Sequence, residues 1–149
     1  MAITNGYATL AEFKNDKRIS STDTTDDGVI EDIITDVSRL IDRACGRTFY
    51  ARSETRYYDT PVLSAGPLLL DDDLLAITTL TNGDATTIAA TKYVLLPYNA
   101  PTKYQIVFKP SQGAYWTLDS NGDALRAISI AGSWGFVDRA ATDAESVER

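Results

Sequence analysis

The side chains able to do chemistry in this sequence are mainly carboxylates and arginines. Asp71-Asp72-Asp73 offers clustered oxygens to a hard cation such as Ca²⁺ or Mg²⁺. Adjacent side chains point apart, however, and no glutamate follows at ligand spacing, so the triplet reads as a solvated turn. Asp119, Asn121 and Asp123 match the first three ligand positions of an EF-hand loop. The pattern then fails, because its glycine position holds Ala124 and its twelfth position holds Ile130. Histidine is absent, which removes the commonest general base and metal ligand and every Ser–His or Cys–His arrangement. The single cysteine, Cys45, permits no internal disulfide and is expected as a small packed side chain beside an apolar stripe. No P-loop, GxGxxG, GxSxG or HExxH motif is present. No enzyme activity, metal or cofactor is expected.

The arginines are the more pointed signal. Arg39, Arg43, Arg47, Arg52 and Arg56 run from a helix end into a strand that continues through Tyr57 and Tyr58. As bidentate donors they suit carboxylates across a protein interface; the plainer alternative is a solvated face. The corner from Arg39 to Tyr58 is the candidate subunit or partner interface. Replacing Arg52 and Arg56 by Glu is expected to spare the fold and block assembly. Trp134, set in Gly-Ser-Trp-Gly, reads as a core aromatic between close backbones.

The element leading into this corner is Asp26–Gly46. Val29, Ile30, Ile33, Ile34, Val37, Leu40, Ile41 and Ala44 fall at the three-and-four spacings of one helical face. Acids come early (Asp26, Asp27, Glu31, Asp32, Asp36) and arginines late, which complements the helix dipole. Thr25 or Asp26 caps the start and Gly46 ends the helix. Before it, Thr9 and Glu12 form a capping box for a short helix over 10–17, and a polar loop joins the two as a hairpin. The β segments are expected to cover the apolar stripe, so Asp at Ile34 or Val37 should unfold the subunit.

After Gly46 the period changes to two. Strands are expected over 48–59, 67–70, 75–81, 87–89, 93–96, 104–109 and 125–131, with turns at Asn82-Gly83-Asp84 and Asp119–Asp123. Strands and turns this regular indicate an antiparallel sandwich or barrel. Thr142 and Glu145 repeat the capping-box pattern in a short final segment. The expected fold is α+β. A helical hairpin at about 9–46 packs with a small antiparallel β-sandwich or barrel-like portion at about 48–136. Together they form one domain, 1–137, followed by a tail or short helix at 138–149. The chain has 149 residues and a formal net charge of -7, which argues against duplex DNA held on a basic face. No apolar run reaches membrane-spanning length and no signal peptide is evident, so a cytoplasmic setting is expected.

The order of these pieces resembles the head–tail connector (adaptor) family of long-tailed bacteriophages. The pieces are YATLAEFK, DDGVIEDIITDVSRLIDRACGRTFY, ARSETRYYD, LLLDDDLLAITTLT with its NGD turn, YVLLPYNAPTKYQIVF and ISIAGSWGF, together covering residues 7–137. The resemblance implies a non-enzymatic virion protein at the head–tail junction, assembled in the host cytoplasm. It implies a homo-oligomeric ring, commonly a dodecamer, beneath the portal protein. Such a ring continues the DNA channel without binding DNA specifically and docks the next neck or tail component. In the family the C-terminal segment reaches toward the portal, which places Phe136, Val137, Arg139, Val147 and Arg149 as portal-docking residues. Members continue into a fuller final helix, so residues 138–149 are expected as a tail ordered on binding. Two alternatives stand: another neck or tail protein (stopper or tail terminator), and a small β-rich carbohydrate- or protein-binding module using Tyr57, Tyr58, Trp116 or Trp134.

Overall fold

The computed structural model describes residues 3–136, which divide into two compact units at Tyr50 and Ala51. Two helices and an antiparallel sheet make the chain α+β. No helix among the described residues is long and apolar enough to cross a membrane.

In the first unit, α1 spans Leu10–Lys17 and α2 spans Asp27–Cys45. The capping box forms: Glu12 N donates to Thr9 Oγ1 at 3.1 Å, and Thr9 N donates to Glu12 Oε2 at 2.9 Å. Gly46 ends α2 at a φ of 64°, a conformation that costs glycine little. The hairpin is tied through a buried cation. Lys14 Nζ donates to the Asp23 carbonyl at 2.6 Å and pairs with Asp27 at 2.5 Å.

Lys14 is the one buried residue of α1, with Leu10 and Phe13 only partly buried, so α1 offers little apolar surface to its neighbour. The consequence falls on α2. Ile34 and Ser38 are buried, but Val29, Ile33, Val37, Leu40 and Ile41 are 38–61% exposed. The expectation that the whole stripe is covered therefore fails for these five, and Cys45 is likewise exposed rather than packed.

The second unit is one five-stranded antiparallel sheet ordered β1-β5-β2-β4-β3. Its strands are β1 (Arg52–Tyr58), β2 (Leu68–Thr81), β3 (Tyr93–Leu96), β4 (Lys103–Phe108) and β5 (Ile128–Trp134). The described strands form this single sheet, not the two faces of a sandwich. The principal reason is β2. The acid triplet 71–73 does not break it into two strands but lies within its 14 residues, at a register shift against β4 between Leu69 and Leu74. Residues 87–89 contribute only a bridge from Thr87 to Thr81.

The core gathers Leu68, Leu74, Leu80, Ile106, Phe108, Ile128, Ile130 and Trp134 from the strands, closed by Ile88 and Trp116 from loops. Trp116 is fastened at both ends, its backbone N to the Ser64 carbonyl at 2.6 Å and its Nε1 to the Gly66 carbonyl at 2.9 Å. The Asn82 turn forms and becomes a buried hub: Asn82 Nδ2 donates to the Tyr115 carbonyl at 3.0 Å, and its Oδ1 accepts from Thr117 N at 3.0 Å. At Gly83 a Cβ would meet the Thr117 carbonyl oxygen at 2.1 Å, so only glycine admits this crossing. Likewise Gly132 lets β5 approach β2, where a Cβ would lie 2.3 Å from the Ala76 carbonyl oxygen.

The split along α2 separates two substitutions that the sequence alone treats alike. Ile34→Asp should destabilise the helical unit by roughly 3 kcal/mol or more, since it buries an unpaired carboxylate. Val37→Asp, at a half-exposed position, should change stability by less than about 1 kcal/mol. Denaturant melts followed by circular dichroism check both.

Candidate functional site

The seven residues of the expected interface fall in both units. Arg39, Arg43 and Arg47 belong to the helical unit; Arg52, Arg56, Tyr57 and Tyr58 belong to the sheet unit.

Arg39 is held within its own unit. Its Nη2 donates to the Asn5 carbonyl at 2.7 Å and its Nε lies 3.2 Å from Asp42. The guanidinium sits 4.5 Å from the Tyr50 ring centroid and 5.6 Å from that of Tyr7, within cation–π range. Tyr7 anchors the segment that leads into α1. Its backbone N donates to Ser38 Oγ at 3.0 Å, its hydroxyl donates to Asp42, and that hydroxyl accepts from Phe49 N at 3.0 Å. Sequence reading missed this Tyr7–Ser38–Asp42 junction, because its partners are more than thirty residues apart and share no motif. Arg43 and Arg47 are exposed; Arg43 Nε donates to the Arg39 carbonyl at 3.2 Å.

Arg52 and Arg56 are neither solvated nor free. Arg56 reaches Glu54 at 2.5 Å, Asp72 at 2.7 Å and Asp71 at 3.2 Å. Arg52 reaches Asp72 at 3.0 Å and Glu54 at 3.2 Å. Alternation along β1 puts Arg52, Glu54, Arg56 and Tyr58 on one half-buried face, so both arginines extend over β5 to the acids of β2. Trp134 of β5 lies beneath them. Arg56 stands 4.6 Å from its ring centroid, Tyr58 stacks on it at 6.2 Å, and its Nε1 donates to the Glu54 carbonyl at 3.2 Å. Burial opposes the charge of Arg56, but hydrogen bonds to Glu54 and Asp72 outweigh it and raise its pKa. Burial and the hydrogen bond to Asp71 raise Tyr58. Burial pushes Asp71 up, and Tyr58 and Arg56 overcome it to leave its carboxyl below the usual range. Asp71 and Asp72 of the triplet are thus the counter-charge of the β1 arginines. Tyr57 faces the other way, half-exposed, with Arg126 4.9 Å from its ring centroid.

Phe136 is partly buried, and Val137, Arg139, Val147 and Arg149 lie outside the described residues. Asp119 spends its carboxylate on its own turn, with Oδ1 accepting from the backbone N of Asn121 and of Asp123 at 2.8 Å each. Among the described residues no group of three His, Cys, Asp or Glu is placed to hold a metal ion. What stands out chemically is the surface of α2, an apolar row flanked by exposed Asp32, Asp36 and Arg43. No protein-family model, curated protein or solved structure gives a significant match to the chain.

Two outcomes follow from this geometry. The double substitution Arg52→Glu and Arg56→Glu should destabilise the sheet unit by roughly 2–4 kcal/mol, because it adds acids to a cluster left with no base. A thermal melt unchanged from the parent would contradict the network. Burial, then the Asp42 hydrogen bond, raises Tyr7 from 10.0 to about 12. A raised folded pKa gives stability that is full below the unfolded value and lost as pH rises through the folded one. The helical unit should therefore weaken between about pH 10 and 12. Thermal melts across that window should show a smaller loss in Tyr7→Phe than in the parent.

Proposed function

We propose that the protein is a structural head–tail connector of a long-tailed bacteriophage, a non-enzymatic subunit that works as a homo-oligomeric ring between portal and tail. The observation that carries this reading is the exposed apolar row on α2. A 19-residue helix with five large apolar side chains open to water is a surface made for another protein. The order of sequence segments from YATLAEFK to ISIAGSWGF adds the family resemblance. In this reading the hairpin and the β-rich unit together form the ring subunit, and residues 138–149 reach toward the portal. A charge of -7 per copy gives the ring an acidic character that lets DNA pass without adhering. The exposed Arg43 and Tyr57 are members of the Arg39–Tyr58 stretch that could meet a neighbour.

Native mass measurement tests the proposal, on the purified chain alone and mixed with a portal ring. The expected result is a ring-sized assembly, formed alone or on the portal. A chain that remains outside any ring and leaves the portal's mass unchanged would refute it.

A further inference from the structure

We infer that α2 also pairs with α2 of a second copy of this chain, antiparallel and about a two-fold axis between Val37 and Leu40. The contact is isologous, so it cannot itself close a ring. It uses the same α2 row that the connector reading offers to a neighbour, and it is the association of the free chain, which ring assembly would replace.

The spacing on the helix carries the first half of the argument. Ile30, Ile33, Val37, Leu40 and Ala44 step by three, four, three and four residues, the seam on which two helices pack knobs into holes. Ile33, Val37 and Leu40 on that seam are about half exposed or more. Charge then selects the orientation. Asp36 and Arg43 occupy equivalent flanking positions one heptad apart, each directly before a seam residue, and both are exposed. If Val37 of one copy layers against Leu40 of the other, antiparallel packing sets Asp36 of each copy beside Arg43 of its mate, forming two cross-helix ion pairs. The opposite flank carries Ile41, partly exposed, and Ile34, which is already buried within its own unit. A parallel pair would instead bring each Asp36 against the apolar Ile41, with neither ion pair formed. The acidic-start, basic-end order of the whole helix favours the same antiparallel choice.

Sedimentation equilibrium of the full chain and of the single reversals Asp36→Arg and Arg43→Asp tests the inference. The parent should dimerise. Each reversal should weaken self-association about tenfold, since both ion pairs become repulsive. An equimolar mixture of the two reversals should recover parent-like dimers, because each supplies the charge that the other lacks. Circular dichroism on each variant confirms that α2 is intact. A parent that stays monomeric would overturn the inference. So would reversals that associate like the parent, or a mixture no tighter than either alone. Rings that form regardless of these charges would overturn it too, while leaving the connector reading standing.

Discussion

The structure turns on an imbalance between two helices. α2 brings a wide apolar face, and α1 brings eight residues with one buried side chain, a lysine. The hairpin is held by polar contacts: the Lys14 anchor, and the junction of Tyr7 with Ser38 and Asp42. Such contacts fix geometry well but contribute only about 0.5–1.5 kcal/mol each in the net, more where a charge is involved. Burying the exposed halves of Val29, Ile33, Val37, Leu40 and Ile41 would release roughly 5 kcal/mol per copy. Two copies would gain about twice that, against an association cost of roughly 4–15 kcal/mol. Those magnitudes suit a concentration-dependent contact better than a permanent one.

The sheet unit closes a core of its own, although Val62, Leu63, Leu69 and Leu125 are exposed on it as well. Its strands and loops bury Trp116 and Trp134 almost completely, and the polar face of β1 is neutralised inside the unit. Trp134 joins the two kinds of stabilisation. It packs in the core, its ring supports Arg56 and Tyr58, and its indole N–H satisfies the Glu54 carbonyl. With Arg56 and Arg52 beside them, Asp71 and Asp72 can lie inside a strand. The sheet unit thus has a closed core, and the helical unit leaves most of the apolar row of its main helix exposed.

Local signals in the sequence located both helices, the Thr9–Glu12 box, the Gly46 stop and the Asn82 turn, since each rests on residues a few positions apart. The central β2 was not legible as one strand. Three adjacent aspartates read as a break unless the arginines of β1, fifteen to twenty residues upstream, are known to cross over β5 and meet Asp71 and Asp72. The same missing pairings made Arg52 and Arg56 look like surface donors. The α2 stripe was visible as a period, but its burial was not, because periodicity reports which residues share a face and not what lies against it.

Hydrogen exchange measured by mass spectrometry on the full chain, dilute and then concentrated, tests the central claim most directly. The claim is that α2 exposes an apolar face that association covers, while the core of the sheet unit is closed without it. The account predicts weak protection of residues 29–44 in the dilute chain, a marked gain on association, and little change across β2, β4 and β5. Protection of α2 in the dilute chain equal to that of the sheet core, and unchanged by concentration, would contradict it.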